Sequence, residues 1–249
     1  MLILGEYMRI TLAIAATLVA GAAHATPEYI KTADFNEGKF ELQYQLITST
    51  DNKPKKDNKT KHQFDAFYVP VDGVLLLGGG KASRDSSESF DIDSFFAGGA
   101  YQFIHEEKHG FNAALLGKYI YAIDSDDADV LEGRLLLDKK WGESKKIKTK
   151  ANLNLLREIG SSRDQGFTFQ SRIGAVYKVK EYFQPGGEWQ AEFSKNNDAE
   201  HQIGPVIYGS LPKIKGFGQL GYEIGWLPGV TDADVNNTFR FLLEYKYLF

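Results

Sequence analysis

The chain of 249 residues contains no cysteine. That excludes disulfides, thiol catalysis and thiolate metal sites, even in an oxidising compartment. Proline is scarce, at 7 residues, and no Pro- or Ser-rich linker divides the sequence, so one domain follows the N-terminal stretch. Beyond that stretch no run is long and apolar enough to cross a bilayer as a helix. A net charge of −4 and a single short basic cluster, Lys53-Pro54-Lys55-Lys56 among Asp and Asn, argue against a nucleic-acid surface. What the chain does have is 25 Gly, 13 Tyr and 17 Phe with a negative mean hydropathy. That combination suits a membrane barrel, whose lipid-facing side chains are hidden in an alternating pattern.

The first 25 residues read as a secretory signal peptide: Met8-Arg9 supplies a positive charge, residues 10–20 are apolar, and Ala23-His24-Ala25 offers small residues for cleavage. The mature chain is expected to begin at Thr26, with Met1 and Met8 both available as starts. A membrane anchor needs roughly 20 apolar residues, more than this run provides.

Period-two alternation dominates the remainder. The last residues place Phe239, Phe241, Leu243, Tyr245, Tyr247 and Phe249 on one face and Arg240, Leu242, Glu244, Lys246 and Leu248 on the other. Strands are predicted over 38–48, 63–69, 74–81, 90–104, 111–123, 130–139, 147–158, 166–180, 183–193, 201–211, 217–226 and 237–249, with ten or fourteen strands as alternatives. Pro70-Val71-Asp72-Gly73 has the residues of a tight hairpin turn. Short turns (70–73, 105–110, 212–216) alternate with longer polar loops (49–62, 124–127, 194–200, 227–236), as periplasmic turns and external loops do. The fold class is therefore all-β, a single antiparallel up-and-down transmembrane barrel of about twelve strands over residues 26–249. A soluble sandwich or lipocalin-like barrel also alternates, but it turns its apolar face inward. Aromatics near strand ends, such as Phe167, Trp189, Phe193 and Trp226, favour the membrane.

If the aromatic face meets lipid, the other face lines a polar lumen containing Glu41, Lys118, Glu132, Arg134, Asp138, Lys150, Arg172, Glu188, Glu192, Glu223, Arg240, Glu244 and Lys246. Facing acids and bases can select small polar solutes by size and charge. The same groups can instead satisfy one another and close the barrel. Arg134, Arg172 and Arg240 are the strongest candidates for solute contact, because guanidinium forks bind carboxylate and phosphate.

Other motifs are weak. His105 and His109 fall in a solvated turn, and His201 lacks a Ser two residues away, so no catalytic residue is assigned. Asp124-Ser125-Asp126-Asp127-Ala128-Asp129 and Asp232-Ala233-Asp234 do not match a calcium loop and read as solvated acids, leaving no metal and no cofactor expected. Gly78-Gly79-Gly80-Lys81 lacks the Ser or Thr of a phosphate loop and reads as a strand against which a neighbour packs closely.

The aromatic-ended final strand resembles the closing strand of bacterial outer-membrane barrels. That resemblance implies residence in the outer membrane among lipid and lipopolysaccharide. It also implies that Tyr245, Tyr247 and Phe249 form the signal read by the barrel-assembly machinery. The segment from Gly218 through Trp226, Gly229-Val230-Thr231 and on to Phe249 is similar to the closing hairpin of transporter-like proteobacterial barrels related to phenol-degradation outer-membrane proteins. For such a barrel the implied function is a passive channel for small hydrophilic or charged solutes. The alternatives are a closed structural barrel with envelope partners such as a polysaccharide-export apparatus, or, less in keeping with the sequence, a lipid-acting enzyme.

Overall fold

Alternation in the sequence becomes a closed wall in three dimensions. A computed structural model describes residues 29–51, 59–84, 90–124, 127–160, 166–194, 199–213, 218–231 and 235–249. The signal-peptide reading and parts of the polar loops, including 52–58 and 232–234, lie outside these residues. The strands are β1 (Lys39–Thr50), β2 (Lys59–Val71), β3 (Val74–Arg84), β4 (Asp91–Ile104), β5 (Asn112–Ala122), β6 (Asp129–Trp141), β7 (Ile147–Ile159), β8 (Phe167–Tyr177), β9 (Gln184–Ser194), β10 (Glu200–Ser210), β11 (Gln219–Pro228) and β12 (Asn237–Leu248). Each pairs antiparallel with its sequence neighbours, and β12 returns to β1 with Lys39 opposite Leu248 and Thr50 opposite Asn237. Closure leaves no unpaired strand edge, which is what a lipid environment demands of a sheet.

All twelve predicted strands are present, but several ladders differ in extent from the hydrophobic pattern. β2 begins at Lys59, because polar residues 59–62 continue to pair with β1 past the end of the apolar alternation. β8 stops at Tyr177, three residues before the predicted end. Between β4 and β5 the chain makes a single helical turn, α1 (Glu106–His109), closed by Gly110. The β2–β3 connection is a two-residue turn, Asp72-Gly73, closed by the Val71–Val74 pair, with Gly73 at φ 77° where a side chain would be strained. A register shift between Tyr68 and Val71 accommodates Pro70, which has no N–H to give the ladder.

The outer face settles the choice between membrane and soluble barrels. Large apolar side chains project outward and remain exposed on every strand but β9, among them Leu42, Phe64, Leu76, Tyr101, Leu115, Leu131, Leu155, Ile203, Ile224 and Phe241. Phe64 is 60% and Leu115 59% exposed, a cost no soluble protein sustains around a full circumference. In hydrocarbon the same surface is favourable. Aromatic groups with a polar atom mark the borders of the band: Trp141 donates to Thr149 Oγ1 (2.8 Å), Trp226 to Asn237 Oδ1 (3.0 Å) and Tyr222 to the Tyr182 carbonyl (2.6 Å).

The lumen departs from the all-polar expectation. On β2 to β5 the inward row includes Phe67, Val69, Leu75, Leu77, Phe96, Ala100, Ala114 and Leu116, all buried and forming one cluster with Tyr29, Ala33 and Phe35. The reason is that residues 29–35 do not lie outside the wall. They run inside the barrel, and their apolar side chains cover an apolar inner surface that water would otherwise meet. Gly79 serves the same packing: a methyl group there would collide with the Phe96 ring and the Phe64 carbonyl.

Candidate functional site

Charged side chains crowd the wall from β6 round to β1, with Asp65 of β2 and Lys118 of β5 also buried, and the register fixes which side chains share the lumen. Following the pairs Asp138–Lys150, Lys150–Gly174, Gly174–Glu188 and Glu188–Gly204 around the wall, every second residue points inward. Glu132, Arg134, Lys150, Arg172, Glu188, Glu192, Glu223, Arg240, Glu244 and Lys246 all fall on this inner set. The residues named from the sequence thus share the inner face of the wall.

The structure divides those residues among four groups. In the first, Arg240, 1% exposed, lies between Glu188 (2.6 Å) and Glu223. Tyr208 donates its hydroxyl to the other oxygen of Glu188, and Lys150 stands 4.2 Å from the Tyr208 ring centre. Two carboxylates around one guanidinium leave excess negative charge, which the Tyr208 hydroxyl and the Lys150 ammonium offset. In the second group Glu132 accepts from Lys118 (2.7 Å) and from Arg134, whose Nε donates at 2.8 Å. The third is organised by Gln170, which accepts from Arg172 (2.8 Å) and Asn154 (3.2 Å) and donates to Glu192 (2.6 Å). The fourth lies at the short-turn end: Glu41 receives Lys39 (2.9 Å) and Lys31 (3.3 Å), Gln43 bridges Glu41 and Glu244, and Lys246 pairs with Glu244. The three arginines singled out in the sequence thus fall into three different groups, and each is engaged by neighbours on the wall.

Sequence reasoning missed the inserted segment. Asn152, with its amide oriented to satisfy both groups, accepts from Lys31 N (2.9 Å) and donates to Lys31 O (3.0 Å). Lys150 donates to the Ile30 carbonyl (3.5 Å), Phe35 N to Gln102 Oε1 (3.0 Å), Gly73 N to Phe35 O (3.0 Å) and Glu37 N to Asp72 Oδ1 (2.8 Å). The Lys31 ammonium also sits 3.0 Å from the centre of the Phe67 ring. The signal was present but easily passed over: Tyr29, Ile30 and Phe35 are apolar residues before β1 in a stretch too short to add a strand. Beside this segment is a cavity of about 210 Å³, lined in part by Lys31, Lys39, Glu41, Lys148, Lys150, Tyr208, Glu223, Glu244 and Lys246.

The remaining candidates lie outside the lumen. His201 packs against Trp189 (6.0 Å between ring centres) and Phe193 (5.6 Å). His105 precedes α1 in an exposed turn. Tyr245 and Tyr247 lie on the outer face, and Phe249, 80% exposed, packs edge-on against Tyr247 while its N–H donates to Gly38 O (3.1 Å).

Closed wall, apolar exterior and filled, charged interior define a twelve-stranded transmembrane β-barrel of the outer-membrane type. The chain belongs to the family described as "Protein of unknown function, DUF481", whose model matches residues 27–201. No curated protein matches the sequence. Among solved structures, the COG4313 outer membrane channel from Pseudomonas putida F1 is 11% identical, with a TM-score of 0.56 over 91% of this chain and 100% of that one. The NanC porin is 6% identical, with a TM-score of 0.55 over 84% of this chain and 99% of that one. The β domain of the Bordetella autotransporter BrkA is 13% identical, with a TM-score of 0.56 over 86% of this chain and 100% of that one. At these identities the likeness is one of fold, and the fold is shared by two channels and an autotransporter domain.

Proposed function

We propose that the protein is a passive outer-membrane conduit for small hydrophilic or charged solutes, held closed in this state by its own N-terminal segment. The carrying observation is the contrast between the two halves of the lumen. Apolar residues of β2 to β5, which bury few charges beyond Asp65 and Lys118, are covered by the inserted residues 29–35, whereas the wall from β6 round to β1 is dominated by charged and polar side chains and has a cavity beside that insert. A barrel needing only a core could have packed apolar residues throughout, because buried charge is costly to retain. Passage along such a wall needs no cofactor, and selection would come from the charges that face the path. Residues 1–25 are taken to be removed on export, and Tyr245, Tyr247 and Phe249 to be the groups recognised during insertion among lipid and lipopolysaccharide.

A second reading is a closed structural barrel of the envelope. It is favoured by the near-complete exclusion of Arg240, Glu188 and Glu223 from solvent. Planar-bilayer recordings of refolded residues 26–249 separate the two. Discrete steps whose ion selectivity shifts when Arg172 or Arg240 is neutralised support the conduit. A heat-modifiable barrel that stays silent, even with the N-terminal segment loosened, supports the closed form.

A further inference from the structure

The cavity at the short-turn half of the lumen has an unbalanced lining. Lys148 and Lys150 reach it from β7, Lys39 and Lys246 from β1 and β12 on the opposite wall, and Lys31 from the inserted segment. Among the described residues three carboxylates share the lining, Glu41, Glu223 and Glu244. Glu223 is already held by Arg240, Glu41 is divided between Lys31 and Lys39, and Glu244 pairs with Lys246. Lys148 turns to Asp138 (3.1 Å). Lys150 makes no ion pair of its own: among the described residues it meets the Ile30 carbonyl and the Tyr208 ring, while Glu188 and Glu223, whose excess charge it helps to offset, are bonded directly to Arg240. An ammonium group inside a barrel is costly without an anion beside it.

We propose that this cavity is a binding site for a small oxyanion, a carboxylate- or phosphate-bearing solute, with Lys150 as its principal contact. The lining that surrounds it runs from Ser210, the last residue of β10 at the short-turn end, inward to Tyr208 and Glu223. An oxyanion seated there accepts from the Lys150 ammonium, and Lys31 and Lys246 are the next donors to either side. The volume of about 210 Å³ suits a small solute. The inference rests on the reading of the lumen as a solute passage, but its test does not depend on conduction.

Titration calorimetry on the detergent-refolded mature chain at low ionic strength, with inorganic phosphate and separately with succinate, reads the site directly. Saturable binding of either anion is expected, and the preferred one identifies the oxyanion. Lys150→Met should weaken it by about tenfold or more, the factor carried by one charge-assisted hydrogen bond. Lys150→Arg should retain binding, and Lys108→Met, on the exposed turn α1, should leave it unchanged. Heat-modifiable migration on a gel checks that each variant is folded. Absence of saturable heat with both anions, or a Lys150→Met protein that binds like the wild type, overturns the site. A barrel that binds but never conducts keeps the site and loses the conduit, and one that conducts without binding does the reverse.

Discussion

Replacing Phe35 by Ala should release the inserted segment and increase channel opening. Phe35 is 4% exposed and packs in the apolar cluster with Phe67, Val69, Leu75 and Leu77. Burial of such a ring is worth about 1.5–3 kcal/mol relative to exposure. Removing it shifts the docking equilibrium about ten- to a hundredfold toward release. The backbone bonds to Gln102 and Gly73 remain available, so the loss falls on packing alone. A wild-type barrel open roughly 1% of the time would then be open for roughly a tenth to a half of it. Single-channel recording gives the open fraction, and trypsin cleavage after Lys31, which is buried while docked, reports release independently. Unchanged opening together with unchanged cleavage would refute the docking energetics. Faster cleavage without opening would refute the segment as the barrier and place the block at the Arg240 cluster.

Three further outcomes follow from the geometry. Leu115→Arg places a charge on an outward position that is exposed to lipid, and should destabilise the barrel in vesicles by about 2–4 kcal/mol if the position lies near the midplane; a soluble barrel would be nearly indifferent. Urea unfolding from lipid vesicles measures the difference. Arg240→Met strands Glu188 and Glu223 without their shared cation and should cost about 3–5 kcal/mol, seen as a lower temperature for loss of the heat-modifiable form. Adding Glu223→Gln to that variant should recover part of the loss, and failure to do so would show that the pair is not coupled through Arg240. Phe249→Ser should leave the refolded barrel as stable as before, because the ring is 80% exposed, yet reduce the amount inserted in cells. Quantitative blotting of outer-membrane fractions beside in vitro melting separates recognition during assembly from stability.

The sequence by itself determined the wall. Alternation of period two assigns one face to lipid and one to the lumen whatever the register, so the inward positions of Glu132, Arg134, Arg172 and Arg240 could be named before any pairing was known. It also marked the hairpin turn at 70–73, of which Asp72-Gly73 forms the tip, because turn residues act locally, and it flagged the glycine run 78–80 as a place of close packing, although the partners, Phe64 and Phe96, come from the neighbouring strands. Only the tertiary structure decided what fills the lumen. Residues 29–35 are too short a stretch to be read as a strand of the wall, and their place follows from a long-range fit between Phe35 and the inner faces of Phe67 and Leu75, anchored by Gln102 and Asn152. Pairing inside the barrel was equally illegible: Arg240 and Glu188 are 52 residues apart in sequence, and β9 and β12 are not neighbours in the sheet. Their contact exists because the closed wall brings side chains from non-adjacent strands into one narrow, poorly solvated space, where the charges must find partners.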